Sequence, residues 1–244
     1  MPSLTAYDSD LDYSYAPGEF PGMECLLKRP DCARRVLLHS RARGREGAEK
    51  LRAEALRLGL RVEEADRALA RISGKENCFA AVVFAKFSDP LATDKPHVVL
   101  HHPADTGNAG TILRTALGFG LEDVAFIRPC VDVFDPRTVR ASMGSLFGLR
   151  VHVYGSFEEY RAAYPDHRLY PFMLDGSASL PELLTQPLPA LWTLIFGNEG
   201  AGLPPEFAAM GQPVRIPSND RVDSLNLSVA AAIGIYSFMQ KAGG

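Results

Sequence analysis

The chain has 244 residues, of which 46% are apolar and 23% are charged, and this composition is ordinary for a globular protein. No apolar run reaches the roughly 20 residues that a membrane helix needs, and the acidic, polar N-terminus does not resemble a secretory signal. The four cysteines form no CxxC pair. We therefore expect a cytoplasmic protein with reduced thiols, no membrane contact and no metal site.

The net charge of −3 is distributed unevenly along the chain. Residues 1–23 carry −4, residues 24–88 carry +6 and residues 89–244 carry −5. A basic segment between acidic ones indicates one part that binds a polyanion and a separate working part. Arginine-rich helices that simply face solvent would give the same pattern, and charge alone does not separate these two interpretations.

The first half of the predicted fold is an arm followed by a small domain. Residues 1–23 contain prolines, glycines and aspartates without a hydrophobic period, which predicts an irregular acidic arm. In residues 24–88 we predict strands at 35–38, 60–63 and 79–87, and helices through 48–58 and 65–72. This alternation predicts a small α/β domain.

Residues 89–96 contain two prolines and two aspartates without periodicity, so we predict a linker there. The second predicted domain covers 97–244. Its strands are predicted at 98–102, 124–127, 151–154, 169–173, 192–196 and 214–216, and its helices at 108–120, 135–146, 156–164 and towards the C-terminus. Such alternation predicts an α/β fold with a mostly parallel sheet and helices on both faces, where ligands bind at the carboxyl ends of the strands.

The segment NAGTILRT, residues 108–115, follows the first strand of that sheet. Asn108 is predicted to be the N-cap of the helix. Helical spacing assigns the residues of the core side and of a polar stripe: the core side is Ile112, Leu113 and Ala116, and the stripe is Thr111, Arg114, Thr115 and Gly118. Arg114 is either a ligand-binding residue or an ordinary surface arginine on an amphipathic helix.

The segment GNEGAGL, residues 197–203, follows the strand predicted at 192–196. Its glycines let the backbone approach a ligand closely, but the spacing matches neither a dinucleotide-binding loop nor a P-loop. Glu199 would repel phosphates and suits a cationic ligand or a sugar hydroxyl. The alternative is that Glu199 only caps the segment 205–210.

The last of these segments is residues 216–239, a turn that leads into a helix. The helix is apolar on nearly every face, so we expect it to be buried. Its first turn nevertheless carries Ser224, Asn226 and Ser228, close to the N–H groups that a helix leaves unpaired. These side chains either bind a ligand or only cap the helix.

Taken together, the three segments resemble the motifs of the SpoU/TrmH-type RNA 2′-O-ribose methyltransferases of the SPOUT superfamily. The patterns are N-x-G-x-x-x-R, G-x-E-G-x-G, and I-P followed by S-L-N-x-S-V-A, and they occur in the family's order. RASMGSLF, residues 140–147, also looks like a family segment. The match spans about 97–239, and residues 25–87 more weakly resemble the RNA-binding domain that precedes it in many members.

The resemblance implies S-adenosylmethionine as the methyl donor, a C-terminal deep trefoil knot, a homodimer and an RNA substrate, either rRNA or tRNA. Site residues carried over by position are the catalytic candidates Asn108, Arg114, Glu199, Ser224 and Asn226, and the cofactor-binding candidates Gly197, Ile216 and Leu225. RNA-binding candidates in the basic domain are Arg34, Arg35, Arg41, Arg43 and Arg45. The sequence departs from the family at Asp220, where a glycine is common, and at Thr106-Gly107, where a proline commonly precedes the asparagine.

Three other functions remain open at this point. A non-catalytic RNA-binding or ribosome-assembly protein on a methyltransferase scaffold would keep the same fold, although the intact motifs argue against it. A dinucleotide-dependent enzyme is disfavoured because the GxGxxG fingerprint is missing. Methylation of a base instead of a ribose is the third alternative.

Overall fold

A computed structural model describes residues 5–73, 78–219 and 221–243. The chain divides into two compact units. The first contains the chain up to Phe87 together with Asp132–Gly148, and the second contains Ser88–Val131 and the chain from Leu149 onward. Within the described residues, no helix combines the length and the apolar character that crossing a membrane requires.

The helices and strands alternate through most of the chain. The strands are β1 Tyr13–Pro17, β2 Ala33–Leu38, β3 Arg61–Glu64, β4 Ala80–Ala85, β5 His97–His101, β6 Asp123–Ile127, β7 Arg150–Tyr154, β8 Arg168–Pro171, β9 Ala178–Ser179, β10 Trp192–Phe196 and β11 Val214–Arg215. The α-helices are α1 Glu19–Lys28, α2 Glu46–Arg57, α3 Asp66–Ser73, α4 Thr106–Gly118, α5 Pro136–Ala141, α6 Phe157–Ala163, α7 Leu180–Leu183, α8 Phe207–Met210 and α9 Leu227–Gly243.

The first unit is built on a four-stranded sheet in the order β1-β4-β2-β3. β4 runs antiparallel to β1 and β2, whereas β2 and β3 are parallel. The predicted irregular arm over residues 1–23 is therefore wrong for its second half, because Tyr13–Pro17 form an edge strand and Glu19 begins α1. Five residues are too short for a hydrophobic period, and pairing with β4 decides their conformation.

Residues 132–148 belong to the first unit, which corrects the prediction of one uninterrupted domain over 97–244. The Phe147 ring packs edge-on against Phe84 of β4, with 5.0 Å between the ring centroids. The helix predicted at 135–146 is also interrupted. Met143 and Gly144 adopt left-handed φ values of 51° and 80°, and a Cβ at Gly144 would lie 2.7 Å from Cβ of Glu24. Close packing against α1 therefore ends the helix early.

The second unit is built on five parallel strands in the order β7-β6-β5-β10-β8. The predicted α/β fold with a mostly parallel sheet is confirmed. β5 and β10 lie next to each other at the centre of the sheet. The loops that leave their carboxyl ends, residues 102–105 and 197–203, therefore begin side by side.

Residues 89–96, predicted as a linker, are tied to the second unit. Leu91 is buried, and the Ala92 N–H donates to Oδ1 of Asp123 at 2.8 Å. Arg150 donates to both carboxylate oxygens of Asp123, at 2.7 and 2.6 Å. Asp123 is fully buried, so its charge needs these partners. The linker prediction failed because composition does not reveal such an anchor.

The C-terminal segment returns to the sheet in two steps. β11 pairs in parallel with β9, and Val214 also bridges Phe172. α9 then packs against α4 and β10. Its Ala231, Ile235 and Phe238 are fully buried, whereas Val229 and Tyr236 are 47% and 50% exposed. The prediction of burial on nearly every face is therefore wrong for a single chain.

Candidate active site

The N-cap of the helix in the first motif lies three residues earlier than predicted. Asp105 is the N-cap of α4, and its side chain accepts a hydrogen bond from the Asn108 N–H at 2.7 Å. Asn108 therefore lies in the first turn and is not the cap. A capping aspartate at this spacing satisfies an N–H that the helix leaves unpaired. The Asn108 side chain is consequently available for other contacts.

The rest of α4 is oriented as its spacing predicts. Ile112, Leu113 and Ala116 are fully buried. Arg114 is exposed and makes no hydrogen bond or ion pair with any residue in the described part of the chain. Its guanidinium is thus available to a ligand.

Glu199 connects the second motif to the start of α4. Its carboxylate accepts hydrogen bonds from the Ala104 N–H at 2.9 Å, the Asp105 N–H at 3.0 Å and the Asn108 Nδ2 at 3.2 Å. Partial burial opposes ionisation, but the bonds from Ala104, the residue's own N–H, Asn108 and Asp105 prevail and lower the pKa of Glu199. Its predicted alternative role as a cap of the following segment is wrong, since the side chain points to α4 instead.

The loop that carries Glu199 is held by its neighbour Asn198. The Asn198 Oδ1 accepts from the Gly200 and Ala201 N–H groups at 2.9 and 3.0 Å, and its Nδ2 donates to the His102 carbonyl at 2.9 Å. Gly197 is buried, and a Cβ there would collide with the backbone of the same loop. Asn198 was not among the residues predicted from the sequence, although its position inside the glycine loop was a usable signal.

Asn226 brings in the third motif. Its Nδ2 donates to Oδ1 of Asn108 at 3.0 Å. Its Oδ1 accepts from the N–H groups of Ser228 and Val229, at 2.9 and 3.3 Å, at the start of α9. The capping interpretation of this residue is therefore correct, and the same amide also contacts another motif, whereas its binding to a ligand stays a prediction. The result is a hydrogen-bonded row, Asn226–Asn108–Glu199, that joins all three segments.

The remaining candidates are not joined to this row by polar contacts. Ser224 is exposed and has no hydrogen bond among the described residues. Ile216 and Leu225 are half-buried on the segment between β11 and α9. The departure at Asp220 lies outside the described residues.

Four of the five arginine candidates in the first unit contact carboxylates of that unit. The ion pairs are Arg34 with Asp12 at 2.7 Å, Arg35 with Glu63 at 3.1 Å, Arg43 with Glu64 at 3.0 Å and Arg45 with Glu19 at 3.1 Å. Arg41 forms no ion pair within 4 Å in the part of the unit that the structure describes, although its charge, after the hydrogen bonds from Ser40 and the charge of His39, helps to lower the pKa of Asp66. Its guanidinium lies 5.8 Å from the centroid of Phe79.

The family model described as "SpoU rRNA Methylase family" matches residues 95–236. The chain belongs to this family. The matched residues contain all three motifs and therefore the whole hydrogen-bonded row. The membership predicted from those motifs is confirmed.

Several members are similar to this chain over part of their length. The 23S rRNA adenosine-1067 2′-O-methyltransferase of Streptomyces laurentii is 32% identical over 155 residues, which are 62% of this chain and 56% of that protein. The 23S rRNA guanosine-2553 2′-O-methyltransferase of Bacillus subtilis is 31% identical over 154 residues, 61% of this chain and 59% of that protein. This chain thus spans less than two thirds of either relative.

The fold is also that of a solved rRNA methyltransferase. The crystal structure of an AdoMet-bound rRNA methyltransferase from Sinorhizobium meliloti aligns with a TM-score of 0.78 and 25% identity. The alignment covers 94% of this chain and 87% of that one, so it includes both units.

Proposed function

We propose that the protein methylates a ribose 2′-hydroxyl in structured RNA, either rRNA or tRNA, with S-adenosylmethionine as the methyl donor. The observation that carries this proposal is the row Asn226–Asn108–Glu199, because it gathers one side chain from each family motif. The names of the two curated relatives and the AdoMet-bound S. meliloti structure support it.

The residues proposed to hold the donor fit its chemistry. Ile216 and Leu225 are half-buried, so each offers apolar surface to an adenosine ring. Gly197 has no room for a side chain, because a Cβ there would collide with the backbone of Gly202, so the loop backbone stays compact. S-adenosylmethionine supplies a methyl group on a sulfonium, and its transfer to the 2′-oxygen leaves a neutral thioether and releases one proton to solvent.

Glu199, Asn108 and Asn226 are proposed to position the reacting groups. Glu199 is kept ionised and already accepts three hydrogen bonds, so it serves poorly as a base. Its role is to hold the Asn108 amide and the start of α4 in one geometry. Fixing both reactants in near-attack geometry can supply about 7–11 kcal/mol of the barrier reduction.

Arg114 is proposed to contact the target ribose. A guanidinium is protonated at neutral pH and presents several N–H donors. Because Arg114 is exposed and without a partner in the described residues, it can orient the hydroxyl or its neighbouring phosphate and stabilise the developing alkoxide. Ser224, which is exposed on the approach to α9, is proposed to orient the ribose or the methionine part of the donor.

RNA affinity is proposed to come from the first unit, through Arg34, Arg35, Arg41, Arg43 and Arg45. Exposed ion pairs contribute only about 0–1 kcal/mol, so an RNA phosphate can replace the carboxylate partners of the exposed arginines. Such binding weakens steeply with salt. A deletion of residues 1–90 would not test the RNA affinity of the first unit, because residues 132–148 would lose the sheet on which they pack.

A homodimer is also proposed, through α9 and the end of α4. Val229 and Tyr236 lie seven residues apart on one face of α9, and Phe119 contacts Tyr236 with 5.3 Å between ring centroids. All three are at least 40% exposed. An apolar patch of this kind on one face suits a self-complementary two-fold interface. We expect Tyr236→Glu to turn a dimer into a monomer in light scattering, and a wild-type monomer would refute the assignment.

We further propose that the C-terminal segment is threaded as a deep trefoil knot. Val214 pairs with Phe172 and with Ala178 before the chain passes back to α4. Gly176 lies so close to the Val214 backbone that a Cβ would not fit there. Pulling the chain between Ser88 and residue 243 should then give a contour length shorter than its residue count allows. A full contour length would exclude the knot.

A cytoplasmic location is proposed because none of the four cysteines forms a disulfide.

The function is tested with unmodified rRNA and tRNA transcripts and S-adenosylmethionine tritiated on the methyl group. We expect label in dinucleotides that resist alkaline hydrolysis, because a 2′-O-methyl group blocks cleavage of the next phosphodiester. Label in alkali-labile mononucleotides would indicate base methylation. No incorporation, together with no heat of S-adenosylmethionine binding in calorimetry, would favour the non-catalytic alternative.

A further inference from the structure

A cleft in the second unit lies between the loops that follow β5, β6 and β10. Its volume is about 680 Å³, which is within the range of about 300–1,000 Å³ for small-molecule sites. The lining residues come from three short stretches of chain: 101–104, 129–131 and 198–205 apart from Glu199 and Gly200. All of them belong to the second unit.

The walls of this cleft suit an uncharged, flat ligand. Four lining residues are prolines, and Val131 and Leu203 add further apolar surface. The lining contains no lysine, arginine, aspartate or glutamate. A phosphate would therefore lose its hydration without gaining a cation, whereas a nucleobase has two faces that pack on apolar or aromatic surfaces.

Two histidines supply the polar part of the wall. The rings of His101 and His102 are stacked, with 3.7 Å between centroids and 29° between planes. His101 is only 6% exposed, and its Nδ1 has no hydrogen-bond partner in the described part of the chain. Burial and then the neighbouring His102 lower the pKa of His101 to about 4, so its imidazole is neutral at pH 7. Buried polar atoms are normally paired, which makes this unpaired nitrogen a candidate ligand contact.

The backbone of His102 is held in an unusual conformation beside the cleft. Its φ is 57°, in the left-handed region that favours glycine. Its N–H donates to the Ile127 carbonyl at 3.2 Å, and its carbonyl accepts from Asn198 Nδ2 at 2.9 Å. Such strain persists only where the surroundings enforce it, and it is common at ligand sites.

The cleft adjoins the hydrogen-bonded row but not the proposed donor site. Ala104 lines the cleft, and its N–H donates to Glu199. Asn198 lines it as well and is the residue before Glu199. In contrast, Gly197, Ile216 and Leu225 are not among the lining residues. The cleft is therefore separate from the surface that Ile216 and Leu225 offer, although Gly197 adjoins its lining residue Asn198.

We propose that this cleft receives the base of the nucleotide whose ribose is methylated, with the imidazoles of His101 and His102 contacting the base. The inference rests on the proposed function, because a base that enters the cleft places its ribose beside Asn108 and Glu199. Enzymes that modify a nucleotide commonly take it out of the base stack and hold the base in a fitted pocket.

The test uses the full chain and the four free nucleosides, adenosine, guanosine, cytidine and uridine, at millimolar concentration. The ring signals of the six histidines are followed by NMR, and His101→Phe and His102→Gly assign two of them. We expect at least one nucleoside to shift the His101 and His102 signals selectively. Ala201→Trp, which fills the cleft from an exposed position, should abolish the shift. Ala163→Trp, exposed on α6 and outside the cleft, is the matched control.

The same variants are then compared in methylation of rRNA and tRNA transcripts. Ala201→Trp should raise the KM for RNA by about tenfold or more, consistent with the loss of one stacked base, while its calorimetric affinity for S-adenosylmethionine stays unchanged. His101→Phe should raise that KM by about fivefold, the effect of one hydrogen bond. Unshifted histidine signals with all four nucleosides, or an unchanged KM in Ala201→Trp, would overturn the inference. Nucleoside binding without any methylation by the wild type would support the cleft and refute the proposed function instead.

Discussion

The polar side chains that we compare are arranged differently in the two units of this protein. In the first unit, arginines such as Arg34 and Arg43 are exposed and paired with single carboxylates. In the second, Asn226, Asn108 and Glu199 form a row in which each side chain is fixed by the next. The nearby Arg114 is left without a protein partner in the described residues. In the proposed function, RNA phosphates can replace the carboxylate partners of these arginines at little cost. The row in the second unit is instead preorganised for one geometry.

The largest effect should come from removing the guanidinium of Arg114, which has no partner among the residues that the structure describes. We expect Arg114→Ala to lower the rate of RNA methylation by about 10²–10³-fold, because a donor aimed at developing negative charge is worth that much. The affinity for S-adenosylmethionine, measured by calorimetry, should not change. Arg168→Ala, another exposed arginine of the second unit, is the matched control. Near-normal turnover in the Arg114 variant would remove it from the proposed site.

The next effect should come from the carboxylate of the row. Glu199→Gln places an amide N–H₂ where two backbone N–H groups now donate, so at least one donor loses its partner. We expect the free energy of unfolding to fall by about 1–3 kcal/mol, in addition to a loss of activity. Urea unfolding followed by the fluorescence of Trp192, the one tryptophan, measures it. Glu206→Gln, on an exposed neighbour, is the control. Equal stability of the two variants would mean that the row is not preorganised.

Acid should destabilise the second unit through a buried pair of histidines, His97 and His167. The Nε2 of His97 donates to the Ala92 carbonyl at 2.7 Å, and its Nδ1 accepts from the Tyr160 hydroxyl at 3.0 Å. Burial lowers the pKa of His97 to about 4, and it also lowers the pKa of His167, whose ring centroid lies 4.3 Å away.

The sign of the pH effect follows from those directions. Between pH 6.5 and 4 the unfolded chain binds protons that the folded chain does not, so stability is complete above about pH 6.5 and falls as the pH decreases. Each such histidine contributes a slope of up to about 1.4 kcal/mol per pH unit. His97→Gln, which keeps a donor and an acceptor but cannot be protonated, should reduce the slope of Trp192-detected unfolding. An unchanged slope would contradict this origin.

The sequence predicted the second unit better than the first for physical reasons. Fully buried parallel strands such as Trp192–Phe196 are continuous apolar runs, and their boundaries are visible without a partner. The edge strand Tyr13–Pro17 is visible only once β4 is in place. The interruption at Gly144 depends on its close approach to Glu24, which no local pattern contains.

The residues of the candidate site could be predicted from the sequence, but the hydrogen bonds between them could not. The motifs supplied Asn108, Glu199 and Asn226. Their order in the row comes from the adjacency of β5 and β10 and from the packing of α9 against α4, whereas the cap role of Asp105 is a local contact that was missed. The carboxylate partners of the arginines were equally hidden, since Arg34 and Asp12 are 22 residues apart in the chain.

The smallest expected effect separates Arg41 from its paired neighbours. Arg41→Ala should weaken RNA binding by a few-fold and reduce the salt slope by about one, which is the contribution of a single phosphate contact. Arg34→Ala should do less, because the Arg34 guanidinium is already paired with Asp12 and has to leave that carboxylate before it can contact a phosphate. Filter binding to rRNA transcripts between about 50 and 200 mM salt measures both slopes. If the two variants lost equal affinity and equal slope, pairing with carboxylates would not distinguish the arginines that contact RNA, and the contrast between the two units would rest on the row alone.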